Sequence, residues 1–179
     1  MSSIRYALLS LLARNPLSGY DIKQQMNGRF SPFWKVGSNQ VYPELSKMEA
    51  EGLVKLQGVE HHAYRPARKL YEITEAGREA LIRWAVEPGG VETVRDDFLL
   101  KVYNSWLVEP EKMKEQLAEM KRQREERLNA YLEKAAELTR MLDPAKSDDP
   151  IASSISIVEF GIRYERLYIE WCESLMESL

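Results

Sequence analysis

Residues 38–53 constrain this chain more than any other stretch, because they read as a helix with one apolar face and a second face built for contact. Val41, Leu45 and Met48 recur at helical spacing and point into a core. Gly52 then supplies a left-handed residue just past the helix, and Leu53 can fold back on Met48 as in a Schellman ending. Pro43 has no N–H and would clash with the carbonyl four residues back, so it belongs in the first turn or bends the helix. The other face carries Asn39, Gln40, Pro43, Ser46 and Lys47, with Tyr42 at its edge and no carboxylate among them. Amides, hydroxyls, an amine and a phenol can meet phosphates and base edges.

The elements before and after this helix complete a recognisable unit. Ile4, Ala7, Leu8, Leu11 and Leu12 follow the spacing of a core-facing helix that ends at Asn15-Pro16. Ser18 with Asp21 three residues on is a capping-box start for a second helix, with Ile22 and Met26 inward and a stop at Asn27-Gly28. Phe30, Phe33 and Trp34 lead into the third helix and read as core plugs, since they precede a helix instead of lining a strand. Beyond Leu53 the period changes to alternation. Val54 and Leu56 face one way and Lys55 and Gln57 the other; Tyr71 and Ile73 repeat the pattern against Leu70 and Glu72. Two strands are expected, joined by a tip over residues 58–69 that carries His61, His62, Tyr64, Arg65, Arg68 and Lys69. A tip so basic is a candidate wing along a DNA groove, against the plainer reading of a solvated loop. The adjacent histidines point apart on an extended segment and have no third ligand at a suitable spacing, so no metal site is expected. Thr74 can cap a fourth helix bearing Ala80, Leu81 and Trp84.

Charge supports the same division. The 179-residue chain has a net charge of −3, but residues 1–86 hold 12 Lys and Arg against 8 Asp and Glu, and residues 87–179 hold 13 against 20. The basic half is the half with the contact helix. Pro88-Gly89-Gly90 lies in a turn-rich linker, giving an N-terminal domain over 1–88 and a helical domain over 89–179. No apolar run is long enough to span a bilayer, the N-terminus lacks a signal-peptide pattern, and the single Cys172 fits a reducing cytoplasm.

In the second half, Thr93 and Asp96 suggest a capping box for a helix using Phe98, Val102 and Trp106. Glu109-Pro110-Glu111 opens a long helix in which Met113, Leu117 and Met120 keep heptad spacing. Leu128, Tyr131, Ala135, Leu138 and Leu142 resume it out of phase after Arg124. Asp149 caps a last helix with Pro150 at its first position. That helix is apolar on two sides: Ile155, Val158, Ile162 and Ile169 on one, Phe160, Tyr164, Leu167, Trp171 and Leu175 on the other. Two greasy sides need two partners, the preceding helix and a symmetry-related subunit. The expected dimer interface is therefore Leu117, Met120, Leu128, Ile155, Val158, Phe160, Ile162, Tyr164, Leu167, Trp171 and Leu175. Tyr103, Trp106, Tyr164 and Trp171 are candidates for a small-molecule pocket, although core packing suits each of them singly.

The sequence Leu17-Ser18-Gly19-Tyr20-Asp21-Ile22, then Val41-Tyr42-Pro43-Glu44-Leu45 with Glu51-Gly52-Leu53-Val54, then Leu70 through Arg78, resembles the PadR family of transcriptional regulators. The second half, by layout, is similar to the larger subfamily, which includes phenolic-acid-responsive repressors and a virulence-gene activator. The resemblance implies a mainly α fold with a small β-hairpin: an N-terminal winged helix-turn-helix followed by a C-terminal long-helix dimerisation domain. It implies a homodimeric regulator of double-stranded DNA; because the second half matches by layout, the ligand class is not carried over, and a small aromatic effector stands only as a candidate partner. Repressor is the default for a compact dimer lacking any separate activation segment. The residues expected at DNA are Ser38, Asn39, Gln40, Tyr42, Pro43 and Lys47, the wing residues Arg65, Arg68 and Lys69, and Tyr20 and Lys23. The competing class is a helical scaffold whose winged-helix module binds protein. An enzyme is disfavoured: there is no Gly-rich phosphate loop, HExxH or GxSxG, no catalytic constellation, and no cofactor is called for.

Overall fold

The computed structural model describes residues 3–26, 39–62, 65–90 and 95–179, with backbone only for residue 3 and residues 59–62 and 65–67. Its contacts separate two units, Met1–Gly90 and Val91–Leu179. The expected features at Asn27-Gly28, Phe30, Phe33, Trp34, Ser38, Tyr64 and Thr93 lie outside the described residues.

The first unit runs α1 (Ser3–Leu12), β1 (Leu17–Ser18), α2 (Gly19–Gln25), α3 (Val41–Ala50), β2 (Val54–His62), β3 (Arg65–Ile73) and α4 (Glu75–Ala85). The expected stripe of α1 is buried, and so are Tyr6 and Leu9 outside it. This helix is covered nearly all round because α4 adds a further neighbour: the Tyr6 ring stacks on Trp84 at 4.4 Å between centroids. The capping box at α2 is complete, with Ser18 Oγ accepting from Asp21 N at 3.2 Å and Asp21 Oδ2 accepting from Ser18 N at 3.3 Å. Val41, Leu45 and Met48 of α3 are buried in the shared core with Ile22, Met26, Val54 and Tyr71.

Helix α3 ends as its sequence requires. Gly52 has φ +73°, Leu53 N donates to Met48 O at 2.9 Å, and Gly52 N donates to Glu49 O at 3.0 Å. Thr74 then closes a clasp: its N donates to Leu53 O at 3.1 Å and its Oγ1 donates to Gly52 O at 2.7 Å. The same oxygen caps α4 by accepting from Gly77 N at 3.1 Å. A Cβ on Gly77 would stand 2.1 Å from Leu53 O, so the clasp needs a glycine there.

The sheet order is β1-β3-β2, all antiparallel. Two expectations change here. The segment expected as a tip over 58–69 is mostly ladder: Val59 pairs with Lys69, Glu60 with Arg68 and His62 with Arg65. Each strand supplies the other's backbone partners, and that needs no apolar alternation, so hydropathy could not reveal it. The register shifts between Leu56 and Gly58, where the alternation ends, and Leu56 is exposed although Val54 is buried. The third strand, Leu17–Ser18 against Tyr71 and Leu70, is too short to carry any period.

The second unit contains α5 (Asp97–Tyr103), a short 3-10 turn (Ser105–Leu107), α6 (Pro110–Met141) and α7 (Pro150–Ser178). Asp96 itself is the cap of α5, accepting from Phe98 N at 2.9 Å, so the helix starts later than a box on Thr93 would have it. Trp106 falls outside α5 and is exposed. Pro110 and Pro150 open their helices, and Asp149 Oδ1 accepts from Ile151 N at 2.8 Å. The core of this unit holds Phe98, Met113, Leu117, Tyr168 and Cys172, with Val102, Met120, Tyr164, Trp171 and Leu175 around it.

The phase break in α6 has a cause on α7. Arg124 and Glu165 are both buried, and Arg124 Nη1 donates to Glu165 Oε2 at 3.2 Å. Arg127 Nη2 stands 3.0 Å from the other oxygen, within ion-pair reach though its N–H does not aim at it. The Arg124 guanidinium lies 3.7 Å from the centroid of the Tyr168 ring, and Tyr168 Oη donates to Asp96 Oδ2 at 3.0 Å. Burial alone would lower the Arg124 pKa, but the Glu165 hydrogen bond and charge outweigh it and hold the group above its ordinary value. Burial, reinforced by Asp96, pushes the Tyr168 phenol up. The seam is thus spliced by a charged cluster that joins the start of α5, the middle of α6 and the middle of α7.

Candidate nucleic-acid interface

Helix α3 starts at Val41, so Asn39 and Gln40 precede it as an exposed turn and Pro43 sits in its first turn. Gln40 is the cap residue, yet its side chain makes no capping bond and is left for other partners. Asn39, Gln40, Pro43, Ser46 and Lys47 are all exposed, and Tyr42 is 53% exposed. Glu49 is exposed as well and shares the face of Tyr42 and Ser46 at helical spacing. The face therefore ends in a carboxylate that the initial reading of its first two turns omitted.

The other two carboxylates of this region are neutralised from behind. Arg5 of α1 places Nε 2.9 Å from Glu44 Oε1 and Nη1 2.7 Å from Glu51 Oε2. Burial pulls this guanidinium down, and bonds to Glu44 and Glu51 more than restore it, so its pKa is raised. Arg5 carried a signal in the sequence that periodicity does not use: it is the one charged residue of α1.

Beside α3, the Arg68 guanidinium of β3 lies 4.9 Å from the centroid of the Tyr20 ring and 3.8 Å from Asp21 Oδ1. Tyr20 is exposed, Lys69 is exposed and Lys23 is half-buried. The structure thus brings Tyr20, Arg68 and the first turn of α2 together. Ser38 and the side chain of Arg65 lie outside the described residues.

In the second unit the expected interface residues separate into two groups. Leu117 and Ile162 are buried, and Met120, Tyr164, Trp171 and Leu175 pack around the unit's own core; Leu128, Ile155 and Val158 are half-buried. Within the single chain these residues pack on the unit's own helices to these different degrees. Phe160 and Leu167, at 58% and 65% exposure, remain open on α7. Of the residues expected at a small-molecule pocket, Tyr103 and Trp106 are 80% and 78% exposed, while Trp171 packs edge-on against Phe98 and Tyr168. A groove in this unit is lined by Leu100, Lys101, Asn104, Val108, Lys112, Met113, Glu115 and Gln116.

Helix, short strand, helix, contact helix, hairpin and helix define a winged helix-turn-helix unit, here followed by a unit of long helices. Residues 8–83 match the transcriptional regulator PadR-like family and residues 94–179 the virulence activator alpha C-terminal family, and the chain belongs to the PadR-like transcriptional regulators. It is 26% identical, over all of this chain and 98% of the relative, to the negative transcriptional regulator PadR of Bacillus subtilis. The crystal structure of that protein with operator DNA superposes with a TM-score of 0.90, covering 100% of this chain and 99% of the other. Its structure with p-coumaric acid gives 0.79, with 98% and 97% covered. The virulence activator AphA of Vibrio cholerae is 28% identical, covers 98% and 97%, and gives 0.73. These relatives are regulators and not enzymes.

Proposed function

We propose that this chain is a sequence-specific DNA-binding transcriptional regulator that acts as a homodimer in the cytoplasm, represses by default and is released by a small aromatic effector. The observation that carries it is the exposed start of α3, where Gln40 makes no capping bond and the Tyr42 phenol is about half exposed, in a unit whose wing strand sets Arg68 against Tyr20 of α2 and leaves Lys69 exposed. Gln40 can bond adenine through its paired donor and acceptor, and Tyr42 can reach a base edge or phosphate. Lys47, Arg65, Arg68 and Lys69 hold the phosphates, supported by Lys23 and Tyr20. Ser38, Asn39 and Pro43 complete the contact turn. Two such units, related by a two-fold axis, would meet half-sites about one helical turn or a multiple of it apart. The open Phe160 and Leu167 of α7 are the residues offered to the second subunit.

A selection on random DNA followed by affinity measurement over a salt series tests this. A recovered palindromic motif with a steep loss of affinity as salt rises is the expected result. Changing Arg65, Arg68 and Lys69 to alanine together should flatten that slope for every sequence. Gln40→Ala should relax preference at one position per half-site at a cost of about 1–3 kcal/mol. Retention of no DNA at moderate salt would leave the protein-binding scaffold as the better reading.

A further inference from the structure

Gly19 opens α2, a helix of seven residues, where glycine is a poor helix former compared with alanine. Its backbone does not call for glycine either: among the described residues only Gly52 has a positive φ. What it supplies is room. A Cβ on Gly19 would stand 2.5 Å from Cε1 of Tyr42 and 3.2 Å from both Cδ1 and Cζ. The ring of Tyr42 therefore lies directly on the α2 backbone by its inner edge, and the rest of it is open to solvent. The neighbouring Tyr20 ring and Asp21 carboxylate are occupied by Arg68, which bounds the same turn on its other side.

We infer that Gly19 is a positioning residue for DNA recognition: it holds the Tyr42 ring in the attitude in which that ring meets DNA. The inference rests on the proposed function above. A methyl group at Gly19 meets the far end of an aromatic side chain with open space beyond it. The ring swings aside more cheaply than a helix moves, so the fold tolerates the change and the phenol is displaced.

A double-mutant cycle in the full-length protein reads this directly, using the DNA recovered by selection with the unaltered chain and one fixed salt concentration. Gly19→Ala should lower affinity for that DNA about tenfold when Tyr42 is present and no more than about twofold in a Tyr42→Ala background. Affinity for unrelated DNA and the melting temperature should hardly change. Equal cost in both backgrounds would mean that Gly19 acts only on α2 itself and overturns the inference alone. So would a Tyr42→Ala chain that binds the selected DNA as well as the original. A chain that selects no DNA overturns both the inference and the reading beneath it.

Discussion

The two units solve the problem of burial in different ways. The first gathers Ile4, Leu8, Leu11, Ile22, Val41, Leu45, Met48, Val54 and Tyr71 from five elements into one aliphatic core. The second packs two long helices on each other, buries an arginine and a glutamate between them, and leaves Leu100, Tyr103, Trp106, Phe160 and Leu167 exposed. Burying charges costs desolvation that only good geometry offsets, and exposed large apolar groups gain nothing from folding a single subunit. The first unit thus encloses its own core, while the second leaves large apolar groups open that the proposed second subunit would cover.

If that contrast holds, the largest effect should come from the open face of α7. Phe160→Asp together with Leu167→Asp should convert a dimer into a monomer in sedimentation at micromolar concentration; an unaltered dimer would show that the contact lies elsewhere. Next, Arg124→Ala should destabilise the second unit by about 3–5 kcal/mol, since it takes from the buried Glu165 its hydrogen-bond donor and leaves only the more exposed Arg127 within ion-pair reach. Replacing both members, with Arg124→Met and Glu165→Leu, should be neutral or stabilising, and chemical denaturation separates the two results. A double variant as weak as the single one would mean that the cluster contributes stability and not just register.

A smaller and more local loss is expected in the first unit. Leu45→Ala should cost about 2–5 kcal/mol through its cavity, with hydrogen exchange accelerating in α3 and β2 and not in α6 or α7. Smallest of all is the behaviour of Cys172. Burial raises its thiol above the usual range, so little thiolate is present at pH 8 and a disulfide reagent should react only at the rate of unfolding. Prompt reaction with the folded protein would contradict a closed core in the second unit.

The first unit was the more legible of the two in sequence because its devices are local. Ser18 with Asp21, Gly52 with Leu53 and Thr74 each act within a few residues, and each formed the bonds its chemistry implies. The ladder beyond Gly58 was illegible because backbone pairing leaves no hydropathy trace. In the second unit periodicity located α6 and α7, and it even marked Arg124 as the point of a phase change. It could not tell that Glu165, Arg124's partner on α7, would be buried, since no local pattern links residues on separate helices. Nor could periodicity tell how deeply Leu117 and Ile162 are buried within the single chain. On the exposed side of α3 the residue types stand in the sequence, but their supports do not: Arg5 and Gly19 act across elements.

The clasp at Thr74 bears on how such a protein can change over generations. Because Thr74 is bonded to both Gly52 and Leu53, the chain leaves α3 and returns to α4 through a single pinned neck. The described residues between, 54–62 and 65–73, are two strands paired with each other through two register shifts and held shut at their base. Residues can be added to or trimmed from the far end of that hairpin in pairs without altering the register at the neck, so the reach of the wing is a dimension that lineages can vary while the reading helix stays where it is.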